Sequence, residues 1–160
     1  MSKIQVVYWS QTGNTEAMAE AIGKGITEAG KEANVVPVSG ASMDELKAAN
    51  VFAMGCPAMG AEVLEEMEME PFVTEVEGFV SGKTVALFGS YGWGDGQWMN
   101  DWVDRMNAAG AKVLNGEGLI CMEAPAGLPT VSHILTYTVK IYKGHGAKNL
   151  PGLFETQAEY

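Results

Sequence analysis

Residues 10–15 read Ser-Gln-Thr-Gly-Asn-Thr: three hydroxyls, two amides and one glycine, without a charge. They stand between the apolar run Ile4 to Trp9 and a helical pattern that begins near Glu16. A helix N-terminus carries unpaired backbone N–H groups and a positive dipole end, and small residues let an anion approach them. No lysine or arginine lies in the loop or in the next eight residues. An anion held there has only neutral donors, which suits a monophosphate used as an anchor. Phosphoryl-transfer sites bring a cation or metal to the charge that develops. The Gly-Lys-Ser/Thr of a P-loop is missing, and Gly13 alone cannot make the G-x-G-x-x-G fingerprint. A plain helix cap with a polar turn is the competing reading, and three hydroxyls in six residues favour the anion.

Two more loops could serve a flat ligand. In "CPAMGAE" (56–62), Gly60 permits backbone conformations closed to other residues, so a peptide there can turn its carbonyl toward a ligand. Met59 is a polarizable cover for an aromatic ring, and Glu62 can accept a hydrogen bond from a ring N–H. Taken alone, Met59 is more often a packing residue. Glu62, Glu65, Glu66, Glu68 and Glu70 read as a solvated face that also raises the energy of added negative charge nearby. In "GSYGWGDGQW" (89–98), Tyr91 and Trp93 are separated by Gly92 and bracketed by Gly89, Gly94 and Gly96, which lets rings present their faces to a planar group. Trp98 and Trp102, four apart on a helix, read as core. A phosphate cradle, a flexible peptide and an aromatic platform suit flavin mononucleotide, FMN.

The totals constrain partners. The 160 residues are enough for one domain, and 47% hydrophobic content is enough to bury one core. A net charge of −10 argues against nucleic acid and anionic membranes and for basic partners. No run of about 18 apolar residues and no signal-peptide pattern is present, so a soluble cytoplasmic protein is expected. Cys56 and Cys121 lack metal-site or disulfide spacing and read as buried thiols. His133 and His145 have no metal-like company, and no metal site is expected.

The elements that must position these loops alternate. Strand patterns cover 3–9, 33–38, 50–56, 83–90 and 112–121, the last interrupted by glycines that suggest a bulge. Helical patterns follow at 17–26 up to Gly30, from Ser42, which forms a capping box with Glu45, at 71–77, and over Gln97–Ala109. Pro37 suggests that the second strand lies at an edge. Strict alternation implies a doubly wound α/β fold, with ligands beyond the C-terminal strand ends. The loops from Ser10, Pro57 and Tyr91 all start there.

The segments "VYWSQTGNTEAMAE", "GCPAMGAEVLEEMEMEPF" and "VALFGSYGWGDGQWM" resemble, in order and spacing, the short-chain clostridial type of the flavodoxin family over residues 3 to about 121. The resemblance implies a flavodoxin-like five-stranded parallel sheet of order 2-1-3-4-5, with helices on both faces and noncovalent FMN. It assigns Ser10, Gln11, Thr12, Gly13, Asn14 and Thr15 to the phosphate. Met59 and Trp93 fall at the ring faces, Glu62 at the ring N3–H, and Tyr91 and Gly92 along the ring edge. Pro57, Ala58, Gly60, Ala61, Ser90, Gly94, Asp95 and Gly96 complete the cofactor-binding set. In similar proteins the Gly60–Ala61 peptide flips on one-electron reduction, which stabilises the neutral semiquinone, while acidic surroundings oppose the anionic hydroquinone. A carboxylate about 10 Å away at an effective dielectric near 40 costs roughly 0.8 kcal/mol, or about 35 mV. The implied function is a low-potential one-electron carrier, not an enzyme. It is expected to be a monomer that docks on basic redox proteins such as flavin or iron–sulfur oxidoreductases.

The pattern breaks after residue 121. Met122 and Glu123 stand where similar proteins often carry an Asn near the flavin rim. Residues 1–123 are expected to form the FMN-binding domain. Residues 124–160 are read as an atypical segment in place of the usual last helix, with a poorly ordered end. Periodicity leaves 129–143 open between helix and strand. The alternative function is an FMN-dependent NAD(P)H or quinone reductase, which needs room over a ring that Met59 and Trp93 are expected to cover. A receiver domain is excluded, because strand one ends in Trp9-Ser10 and strand three in Gly55-Cys56, with no phosphoacceptor Asp.

Overall fold

A sheet covered on both faces sends successive side chains to opposite layers, and the strands here do so. Ile4 and Val6 pack in one layer and Val7 in the other, and Val51 and Ala53 separate in the same way from Phe52 and Met54. The computed structural model describes residues 3–28, 30–92 and 94–121. Trp93, Met122, Glu123, both histidines and the expected atypical segment 124–160 lie outside the described residues.

The described elements are β1 (Ile4–Tyr8), α1 (Asn14–Glu28), β2 (Ala33–Pro37), α2 (Met43–Ala48), β3 (Val51–Gly55), α3 (Met69–Glu77), β4 (Thr84–Ser90), α4 (Gln97–Ala108), β5 (Lys112–Val113) and β6 (Leu119–Cys121). All strand pairs are parallel, in the order β2-β1-β3-β4-β5, and β6 also pairs with β4. The sheet order is the one expected, and β2, carrying Pro37, is an outer strand.

The last strand corrects the expected bulge. Val85 is opposite Val113 and Phe88 is opposite Leu119, so Ala86 and Leu87 face the five residues 114–118. A bulge adds one residue; this excursion adds three. A 3-10 turn at Leu114–Gly116 makes it, with Gly116 at φ 73°. The path then passes so close to α4 that a Cβ at Gly118 would run into the Met99 thioether.

Helices cover both faces. Met18, Ala19, Ile22 and Ile26 of α1 pack on Ile4, Val6, Ala53, Ala86 and Phe88. The opposite layer holds α2 through Leu46, α3 through Phe72, Val73 and Val76, and α4 through Trp98, Trp102 and Met106. Trp98 and Trp102 are core residues, as expected. The Ser42 hydroxyl accepts from the Glu45 amide at 3.3 Å, giving α2 one half of its capping box. Lys83 Nζ donates to the carbonyls of Lys47 and Ala49 at 2.7 and 2.6 Å and closes the other end of that helix.

The α3 helix starts at Met69, two residues before the expected piece, because Glu65 caps it. Its buried carboxylate accepts from the amides of Met67 at 2.9 Å, Glu68 at 2.6 Å and Met69 at 3.4 Å. Arg105 then ties α4 to α3, with two bonds of 2.8 Å to Glu70 and one of 2.8 Å to Glu77.

At the end of β3, Gly55 lies under the Phe88 ring, which a Cβ there would overlap. Overpacking a formed core costs about 1–3 kcal/mol. Gly55→Ala should lose about that much stability in urea unfolding, and adding Phe88→Leu should restore part of it. An unchanged midpoint for the single variant would show that the ring does not occupy that space.

Candidate functional site

Three strand ends meet at one edge. Ser10 follows β1, Pro57 follows β3 after Cys56, and Ser90 ends β4. They enclose a cavity of about 310 Å³ lined by Ser10, Gln11, Thr12, Asn14, Thr15, Pro57, Ala58, Met59, Ser90, Tyr91 and Gly92. That volume is within the range of small-molecule sites. No lysine or arginine is among the lining residues.

The first loop is built as a helix start. Ser10 Oγ accepts from the Gly13 amide at 3.1 Å, and the first bond of the helical ladder runs from Ala17 N–H to the Gly13 carbonyl at 2.9 Å. The amides of Asn14, Thr15 and Glu16 precede that ladder and stand at the open helix end. Thr15 is buried, and its hydroxyl lies 2.9 Å from that of Ser90, which joins the first turn of α1 to the end of β4. Gln11 and Thr12 are exposed. Gly13 shapes the loop without lining the cavity.

The second loop is a tight turn. Met59 and Val63 exchange backbone bonds of 2.9 and 3.0 Å around Gly60, Ala61 and Glu62. Gly60 has φ 48°, and Glu62 has φ 55°, the one positive φ outside glycine among the described residues. Such a conformation costs a non-glycine residue about 1–2 kcal/mol. The Glu62 carboxylate accepts from the Gly96 amide at 3.2 Å, directly before α4. A Cβ at Gly94 would overlap that carboxylate, so the third loop gives it room only by carrying glycine. Gly60 and Ala61 are exposed at the tip, Gly94 and Asp95 are exposed, and Gly96 is buried.

Tyr91 is held from behind. Its ring centre lies 5.7 Å from that of Trp98, tilted by 45°. Trp98 is fixed in turn by an indole N–H bond of 3.0 Å to the Cys56 carbonyl. Reading Trp98 only as core missed this support. Trp9 was missed as well: its indole donates to Glu68 at 3.3 Å, beside the loop that starts at Ser10. A polar indole N–H at the end of the first strand, directly before the loop, was the available signal.

The five glutamates do not act alike, which corrects their reading as one solvated face. Glu65 is buried as a helix cap, Glu70 is paired with Arg105, and Glu62 is bonded to Gly96. Glu66 and Glu68 are exposed. For Arg105, burial lowers the pKa, but Glu77 and Glu70 outweigh it and hold the guanidinium further up. Cys56 is buried, as expected, and its thiol is pushed up to about 12, chiefly by desolvation. Among the described residues no group of His, Cys, Asp and Glu could hold a metal, and no helix is long and apolar enough to cross a membrane.

A family model described as Flavodoxin matches residues 6–133. The chain is 57% identical over 111 residues to a flavodoxin of Clostridium beijerinckii, covering 69% of this chain and 80% of that one. It is 45% identical over 111 residues to a flavodoxin of Megasphaera elsdenii, covering 69% and 81%. The solution structure of the two-electron reduced Megasphaera elsdenii flavodoxin superposes with a TM-score of 0.77 at 40% identity, covering 86% of this chain and 98% of that one.

The raised Cys56 pKa has a defined sign. A thiol protonated more strongly in the folded state than at its ordinary 9.0 contributes stability that is intact below pH 9 and lost as pH rises toward about 12. Alkylation by iodoacetamide at pH 8, read by peptide mass mapping, should spare Cys56 in the folded protein and modify it in urea. Equal modification in both would show the thiol to be accessible.

Proposed function

The chain belongs to the flavodoxin family and is an FMN-binding electron carrier rather than an enzyme, and we propose from that premise that the cavity at the sheet edge is its FMN site. The observation that carries this assignment is the make-up of the cavity. One end offers hydroxyls and an open helix terminus without a cation, and the other offers Met59 and Tyr91.

These residues fit the group. Thr12, Thr15 and Ser10 supply neutral O–H donors, and the α1 amides supply N–H donors, to a phosphate monoester. Gln11, Gly13 and Asn14 complete that loop. Pro57, Ala58, Ser90 and Gly92 line the wall between the phosphate end and the ring end. Met59 would cover the ring, Tyr91 would flank its edge, and the family resemblance assigns Trp93 to the other ring face. Bound FMN supplies the redox chemistry of the protein.

The chain tunes that chemistry in two ways. Nothing stands within 4 Å of where a Cβ on Gly60 would lie, so the Gly60–Ala61 peptide has room to turn its carbonyl toward a ring N–H. Glu62 accepts at a second ring N–H, with Gly94, Asp95 and Gly96 making its surroundings. Uncompensated carboxylates disfavour added negative charge, which makes the carrier a low-potential one. Glu70 contributes less than its position suggests, because Arg105 neutralises it.

Flavodoxins pass electrons between redox proteins. With a net charge of −10, this one favours basic partners such as flavin or iron–sulfur oxidoreductases. We assign residues 1–123 to the FMN domain, acting as a cytoplasmic monomer.

The purified protein should be yellow, or become so with added FMN, and turn blue at half reduction. A colourless protein that takes up no FMN would refute the assignment. Rapid NAD(P)H oxidation without a partner would instead support the reductase. Thr12→Val should weaken FMN by about tenfold, the size of one hydrogen bond to a charged group, with little effect on riboflavin. Equal losses for both ligands, measured by fluorescence quenching, would remove this hydroxyl from the phosphate.

A further inference from the structure

A second concavity of about 300 Å³ opens on the α2 and α3 layer of the same sheet edge. Val38, Met43, Pro71 and Phe72 line it, with Glu68 and Glu75. Both carboxylates belong to exposed residues. Among the described residues the ion pairs of α3 go to Glu70 and Glu77, and neither Glu68 nor Glu75 has one. The groove adjoins the FMN site through one residue: Trp9 donates to Glu68 at 3.3 Å, and its neighbour Ser10 lines the first cavity.

An apolar lining with two carboxylates selects for one kind of side chain, a long aliphatic stem ending in a cation. An acidic or purely apolar side chain would leave both carboxylates without a counter-charge or repelled. A second copy of this chain brings a net charge of −10 of the same sign. Arginine fits better than lysine, because its planar guanidinium offers five donors that can serve carboxylates on more than one side.

We propose that this groove receives an arginine side chain of the basic redox partner, its stem against Met43 and Pro71 and its guanidinium between Glu68 and Glu75. The inference rests on the electron-carrier reading for the nature of the partner. It sets the partner beside Trp9 and Ser10, next to the ring it serves.

The test uses the FMN-loaded full chain with methyl-labelled Met and Val and an acetylated tetra-arginine amide peptide at low ionic strength. Saturable shifts should appear at the methyls of Met43 and Val38. Glu75→Lys should weaken the peptide by about tenfold, the size of one close interfacial charge pair. Glu28→Lys, the same charge change at the far end of α1, should change it by less than about twofold, as a distant screened charge does. Equal weakening by both, shifts centred elsewhere, or the same shifts on concentrating the protein without peptide would each overturn the groove. In a second arm, electron transfer from the reduced protein to cytochrome c, a basic haem protein, should slow in Glu75→Lys with FMN content unchanged. An unchanged rate would remove the groove from docking. Failure to hold FMN would overturn the carrier reading, while the peptide arm would still decide the groove.

Discussion

A hydrogen bond between two buried hydroxyls, Thr15 and Ser90, joins parts of the chain that the sheet keeps apart. Thr15 sits in the first turn of α1, which follows β1, and Ser90 ends β4; β3 runs between those two strands. Each hydroxyl needs a partner once water is excluded, and an orphan costs about 1–3 kcal/mol. The pair therefore sets the angle at which α1 leaves the sheet. It also brings the open helix end over the strand termini, and the Ala58 amide adds a bond of 3.0 Å to the Ser90 carbonyl. The cavity is what remains between elements held in this way.

Acidic residues do two separate jobs in this fold. Glu65, Glu70 and Glu77 are structural: one caps α3, and two hold Arg105 against it. Glu62 and Glu68 instead bond to the loop ends beside the cavity, through Gly96 and Trp9. At about 0.8 kcal/mol for a charge 10 Å away, one neutralised carboxylate shifts the local field as much as one added elsewhere. The position of a single arginine thus counts for as much as the gain or loss of one acidic residue near the ligand edge.

Much of the architecture was legible because it follows from short-range chemistry. The apolar runs at 4–8, 51–55 and 84–90 became strands, Ser42 capped α2, and Pro37 ended up on an outer strand. The meeting of the loops that start at Ser10, Pro57 and Tyr91 was legible too, since parallel strands place all their C-terminal ends on one side. The remainder depended on contacts between distant residues. Nothing near Glu65 in sequence separates it from Glu66, and only its approach to the amides of residues 67–69 makes it a cap. The excursion at 114–118 depends on the room beside Met99. The Glu62 conformation depends on Gly94 and Gly96, more than thirty residues away.

Parallel pairing leaves every strand contact non-local. Val6 pairs with Val35 and Ala53, and Ala53 with Ala86, so no segment of the chain can form its strand pairs alone. The cavity draws on the ends of β1, β3 and β4 at once, and an unfolded chain therefore has no partial version of it to offer. A ligand bound only by the native state raises unfolding free energy by about 1.4 kcal/mol for each tenfold excess over its dissociation constant. With FMN in that cavity, as proposed, free FMN is a folding ligand through mass action alone, and the amount of folded protein rises with the flavin supply.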